Sequence, residues 1–190
     1  MDQVYITDRL FEKTDFSANG IEKGDYDNCT FKNCNFSEAD LSAIKFSDCT
    51  FTGCNLTMAR IAKTSFREAR FNSCKLLGLH FENCSEFLFS VDFEDCNLNL
   101  SSFFSQKIRN TRFKNCSLHE ADFTESDLTG SVFENCDLAR ATFDRTLLGK
   151  TDFRTAFNYS IDPEKNRIRK ARFSAAGIAG LLDKYDIVIE

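Results

Sequence analysis

Phe31-Lys32-Asn33-Cys34-Asn35-Phe36-Ser37-Glu38-Ala39-Asp40-Leu41 decides the fold. Large apolar residues stand at 31, 36 and 41, small ones at 34 and 39, and every other place is polar. Working outward, the same spacing holds at fifteen centres from Phe11 to Phe81, among them Phe16, Ile21, Tyr26, Phe46, Phe51, Leu56, Ile61, Phe66, Phe71 and Leu76. The frame slips by two residues and resumes at Phe93 for thirteen more centres ending at Phe153. Only 42% of the chain is hydrophobic, so a run of this length at one spacing is not chance. Neither a helix period of about 3.6 nor a strand period of 2 gives every fifth residue one environment, so the chain must turn once per repeat.

The position two before each centre is nearly always small: Cys34, Ala39, Cys49, Cys54, Ala59, Cys96, Cys116, Ala121, Ser126, Cys136 and Ala141 are examples. A large inward side chain leaves room only for a small neighbour in an interior packed to near-crystalline density. All nine cysteines occupy this position. If the slip preserves the order of faces, Cys34, Cys54, Cys74, Cys96, Cys116 and Cys136 form one column, Cys29 and Cys49 lie on the preceding face and Cys84 on another. Packing accounts for them; a metal or redox site would need a local Cys-x-x-Cys or a histidine beside the column, and neither occurs. No cofactor or metal is expected. His80 and His119 flank centres and should be exposed.

Ala39-Asp40-Leu41-Ser42-Ala43, Ala121-Asp122-Phe123-Thr124-Glu125 and Cys136-Asp137-Leu138-Ala139-Arg140 resemble the consensus of the pentapeptide-repeat family: a small residue, Asp or Asn, a central Leu or Phe, and two polar residues. The resemblance implies an all-β fold, a right-handed quadrilateral β-helix with four repeats per coil. Residues 20 apart would then stack at about 4.8 Å. From Phe93 onward Phe alternates with Leu or Ile, so two opposite faces should each carry a Phe column.

The chain has 190 residues and a net charge of −5, which disfavours direct nucleic-acid binding. No stretch approaches the roughly 18 apolar residues of a membrane span, and Met1 to Leu10 lacks the core of a secretion signal, so the expected address is cytoplasmic. Residues 1–157 read as the β-helix with its N-terminal cap and residues 158–190 as a C-terminal turn, helix and strand. The slip suits a corner bulge or a small loop; the alternative is a recognition point, supported by acidic Glu82, Glu86, Asp92, Glu94 and Asp95. Beyond Phe153 the repeats are expected to fail. Asn158 to Pro163 reads as a turn, Ala175 to Lys184 as a short helix capped by Ser174, and Ile187-Val188-Ile189 as a strand. Ile178, Leu181, Leu182, Tyr185, Ile187 and Ile189 exceed what one cap needs, which favours a homodimer joined through the tail. Lys165, Arg167, Arg169, Lys170 and Arg172 read as a solvated turn or part of its rim.

The tail also resembles the end of Qnr-type quinolone-resistance proteins, through Ile161-Asp162-Pro163, Ala171-Arg172-Phe173 and Leu181 to Ile189. That resemblance implies a rod that mimics a DNA duplex and binds type II topoisomerase, DNA gyrase above all. DNA carries about one charge per 1.7 Å, whereas a net −5 would be spread over roughly 36 Å of rod, so any mimicry is local. The acidic candidate is Ser117 to Leu138, with Glu120, Asp122, Glu125, Asp127, Glu134 and Asp137 and neither Lys nor Arg. An ordinary solvated face is the competing reading of these residues, and an interaction scaffold for an unrelated partner the competing reading of the chain. No nucleophile elbow, phosphate loop or metal spacing stands out, so an enzyme is not expected.

Overall fold

The computed structural model describes residues 4–188. Its regular elements are short parallel strands in two sheets. One sheet holds β1 (Val4–Thr7), β3 (Gly24–Asp27), β5 (Lys45–Ser47) and β7 (Ser65–Arg67) in that order. The other runs β2 (Leu10–Glu12), β4 (Thr30–Lys32), β6 (Thr50–Thr52), β8 (Ala69–Asn72), β9 (Val91–Glu94), β10 (Arg112–Lys114) and β11 (Val132–Glu134). Partners are separated by one full coil, Phe31 lying opposite Phe51 and Phe113 opposite Phe133, and across the slip Phe71 meets Phe93. Four centres fit between one strand and its partner, so the interior holds four apolar columns, and the chain is a parallel-sheet solenoid. A single helical turn, α1 (Phe16–Asn19), interrupts the first coil, with the Ser17 N–H donating to Asp15.

Strands stop after three or four residues because the backbone turns at each corner. The residue two after nearly every centre has a left-handed φ, for example Asn33, Glu38, Ala43, Asp48 and Met58. An L-residue other than Gly, Asn or Asp adopts it at a cost of roughly 1–2 kcal/mol. Hydrogen bonding to the next coil holds these corners: the N–H of Asn33 donates to the carbonyl of Thr52 (2.8 Å) and that of Glu38 to Thr57 (2.9 Å). Gly53 takes one corner where a Cβ would strike the side chain of Asn33 beneath it.

The interior follows the expected columns. Phe11, Phe31, Phe51, Phe71, Phe93, Phe113, Phe133, Phe153 and Phe173 stack continuously with centroids 4.7–5.4 Å apart. Across the core, Phe81, Phe103, Phe123 and Phe143 form a second stack. Leu56, Leu76, Leu98, Leu118 and Leu138 fill one aliphatic column and Ile108, Leu128 and Leu148 the other, all buried. The Phe column continues one turn past Phe153, through Phe173, with Asp152 bridged to Arg172 and Leu147 to Arg167.

At the slip, counting in twenties from Phe46 and Phe66 puts Glu86, a charge, at the next centre. The chain cannot bury it there. Glu86, Phe87 and Leu88 swing outward, and Phe89 packs edge-on against Phe66 (6.5 Å) and Phe81 (6.3 Å) in its stead. The disturbance takes a whole side of one coil rather than a corner, so the four-stranded sheet ends at β7.

The tail departs from expectation. Ala175 to Lys184 does not form an α-helix: a turn leads into 3-10 turns at Ile178–Leu181 and Asp183–Tyr185. Two glycines lower helix stability by about 1 kcal/mol each, and both are needed for close approach. A Cβ at Gly177 or Gly180 would strike Tyr159, and the Gly180 carbonyl accepts the Ile161 N–H (2.8 Å). Ser174 does serve as an acceptor, from the Gly177 N–H (3.1 Å). Ile187 and Val188 are exposed and in no strand; Ile189 lies outside the described residues. Among the described residues no helix is long and apolar enough to cross a membrane.

Candidate interaction surface

The outward positions are set by the coil, and their chemistry is set by what stands one coil above or below. The residue just before each centre is commonly Asp or Asn because its side chain closes the next turn. Asp40 accepts the Ser42 N–H (2.9 Å), Asp122 that of Thr124 (2.9 Å), Asp127 that of Thr129 (3.0 Å) and Asp137 that of Ala139 (3.1 Å). Half of the proposed acidic residues are therefore turn-forming groups first.

Ser117 to Leu138 spans a full coil, Ser117 lying directly opposite Asp137, so its six carboxylates surround the rod and do not gather on one side. Neighbouring coils supply the cations that this stretch lacks. Glu120 pairs with Arg140 (3.2 Å), Glu125 with Arg145 (2.9 Å) and Glu134 with Arg112 (2.6 Å), while Asp137 meets His119 of the same stretch (2.7 Å). Asp127 is 5% exposed and accepts from the Arg109 Nε at 2.6 Å, so it is not an outward group. Burial works to raise its carboxyl, but the Arg109 guanidinium and Thr129 hold it below the ordinary carboxylate value. Asp137 is likewise desolvated, yet His119 and Asn158 keep it low. Asp122 alone of the six has neither an arginine nor a histidine against it among the described residues. His80 is exposed as expected, whereas His119 is half-buried by its contact with Asp137. Around the slip, Lys107 reaches Glu86 (3.4 Å) and Lys114 reaches Glu94, so this acidic segment is partly neutralised as well. The missed signal was charge read one coil away along the chain rather than among sequence neighbours.

The cysteines are all free thiols and buried. Their Sγ atoms donate to backbone carbonyls, Cys54 to Phe31 (3.3 Å) and Cys136 to Phe113 (3.4 Å), and the Cys96 sulfur accepts the Cys74 N–H, confirming the predicted column. Burial pushes the Cys49 thiol up to about 12 and raises Cys84. Neighbouring thiols and then burial raise Cys54, Cys96 and Cys136. Among the described residues no group of three or more His, Cys, Asp or Glu is placed to hold a metal ion.

In the tail, Leu181 packs onto the core end, while Ile178, Tyr185 and Ile187 are exposed and Leu182 is half-buried. Lys184 ties the segment down, bonding Asp162 (2.8 Å) and Glu164 (2.7 Å), and both carboxyls fall below their usual values because of it.

A parallel-sheet solenoid whose sides carry in-register polar ladders is the architecture of a repeat protein. The family described as pentapeptide repeat region matches residues 25–85 and 78–153, and the chain belongs to it. Among solved structures, a trypsin-treated variant of QnrB1, a plasmid-mediated fluoroquinolone resistance protein, is similar over 100% of both chains with a TM-score of 0.63 at 16% identity. Full-length QnrB1 is similar with a TM-score of 0.55 at 17% identity, over 97% of this chain and 100% of that one. At such identities the likeness is one of fold. No curated protein matches the sequence.

Proposed function

We propose that this chain is a non-enzymatic protein-interaction rod, a right-handed four-sided coil that acts in the cytoplasm and joins a second copy through its tail. The observation that carries the reading is the pre-organised surface. Side chains on successive coils are locked by ion pairs and hydrogen bonds that recur from one coil to the next, such as Asn115 to Asp95 (2.9 Å) and Arg145 to Glu125. A surface ordered beforehand loses little entropy on docking.

For the partner, likeness to QnrB1 over the whole of both chains supports a type II topoisomerase, DNA gyrase, met by local mimicry of DNA and altering its response to quinolones. The neutralised carboxylates favour a second reading, an interaction scaffold for an unrelated protein, because little unpaired negative charge is left to imitate a phosphate backbone. Purified gyrase decides between them. Inhibition of supercoiling, or its protection from a quinolone, carries the topoisomerase reading. An unaffected enzyme, with a different protein retained from cell extract, carries the scaffold reading. Tail-joined association rests on exposed Ile178, Tyr185 and Ile187 at the end of the rod.

A further inference from the structure

The side of the rod built on β1, β3, β5 and β7 divides its charge by length. Asp25 is neutralised by Lys45 (2.8 Å), Asp127 by Arg109, and Glu86 by Lys107. Among the described residues four acids remain on this side without an ion pair, Asp8, Asp27, Asp48 and Glu68, all before the bulge. Five bases remain without one: Lys150, Arg167, Arg169 and Lys170 after it, and Arg67 on β7 beside the bulge itself. Lys63 and Lys165, also unpaired, lie on the opposite edge of this side. Between the two groups stand Phe87 and Leu88, 65% and 62% exposed. The Arg67 guanidinium lies over the Phe87 ring (5.1 Å), and its buried Nε has no hydrogen-bond partner.

We propose that this side is self-complementary, and that a second copy of the chain docks on it antiparallel about a two-fold axis passing through Phe87 and Leu88. A two-fold interface brings each patch against its counterpart at equal distance from the axis. Counted along the corner, Asp8 lies four coils before Leu88 and Lys170 four coils after it, each about 19 Å away. The operation therefore sets Asp8 against the partner copy's Lys170 and Asp27 near its Lys150. Glu68 and Asp48 meet the neutral Asn110 and Gly130, and Arg67 comes opposite the partner copy's Arg109, whose charge Asp127 already neutralises. The apolar bulges meet at the axis, where fully desolvated contact contributes most. A parallel arrangement would oppose acid to acid and base to base along the whole side. An unrelated anionic partner would leave the acidic half without a role.

The test uses the full chain carrying Ile178→Asp and Ile187→Asp, two exposed tail positions, so that association through the tail is removed. Sedimentation equilibrium at low salt is expected to show a dimer that Phe87→Asp abolishes. Asp8→Lys with Asp27→Lys, or Lys150→Glu with Lys170→Glu, is expected to raise the dissociation constant at least about tenfold, since like charges then face each other. All four substitutions together restore it, and carbodiimide links Asp8 to Lys170 between unaltered copies. A tail variant that is monomeric at every concentration, or a fourfold reversal that fails to restore association, overturns the proposal. If tail substitution leaves association unchanged, the tail-joined reading falls and this one stands.

Discussion

Replacing Phe113 by alanine is expected to be among the most damaging single changes in the molecule. Its ring is fully buried, stacked between Phe93 (5.2 Å) and Phe133 (4.7 Å, parallel), and meets Phe103 and Phe123 edge-on at 6.0 and 6.1 Å. Core Phe→Ala changes cost about 3–5 kcal/mol, and each aromatic pair lost adds about 0.5–1.5 kcal/mol. With two stacks broken in the middle of a column that cannot close up, the expected loss is about 5 kcal/mol. That is a large part of the roughly 5–15 kcal/mol by which domains are stable. Phe173 is the internal control: it ends the same column, is half-buried, and has one parallel neighbour, Phe153 at 5.4 Å. Urea unfolding followed by circular dichroism should show Phe173→Ala costing less than half as much. Equal losses at the two sites, or a loss at Phe113 below the range usual for a core Phe, would refute the idea that the stacked column holds the rod together.

Thiol reagents should find almost none of the nine cysteines in the native protein and all of them after denaturation; stoichiometric reaction without unfolding would show the column to be accessible. Ile178→Asp with Ile187→Asp should weaken association through the tail without loss of strand signal, measured by sedimentation at high salt, where charge-driven docking of the rod's sides is screened. Changing Glu120, Asp122 and Glu125 to Lys should leave the fold intact and abolish any electrostatic partner docking, whereas Asp127→Lys should destabilise the rod by placing two cations together at a buried site. Because Arg109 holds the Asp127 carboxyl low, its contribution is complete above the unfolded value of about 4 and is lost as pH falls through the depressed folded value. Asp127→Asn should therefore flatten the acid limb of a stability profile, and an unchanged limb would remove the pair from the account.

The inside of this protein was readable because one rule, an apolar side chain every fifth residue, determines burial directly. Phe36, Phe51, Phe113 and Phe133 are all fully buried, and the cysteine column runs as the spacing predicts. The outside was not readable in the same way. Ser117 to Leu138 looks acidic along the chain, but Glu120, Glu125, Asp127 and Glu134 are balanced by Arg140, Arg145, Arg109 and Arg112 on the adjoining coil, and Asp137 is bonded to His119. Linear proximity misleads where the coil sets the neighbours. In the tail, apolar spacing suggested a helix, but it was silent about Tyr159, whose contacts with Gly177 and Gly180 dictate tighter turns. Ile187 and Val188, read from their apolar run as part of a strand, stand exposed and in none.

The outward swing at Glu86 also bears on how the molecule opens. Along most of the rod, four ladders connect each coil to the next; here one ladder stops at β7 and only resumes with the bridge from Lys107 to Asp127, and among the described residues a second breaks between Arg60 and His80. In a chain whose units touch only their nearest neighbours, cooperativity is as strong as its weakest junction. That junction divides the rod into an N-terminal and a C-terminal block, each able to unravel without its neighbour. Amide exchange should record two protection plateaus meeting near Ser85 to Ser90, and pulling on the ends should produce rupture there before any coil within either block gives way.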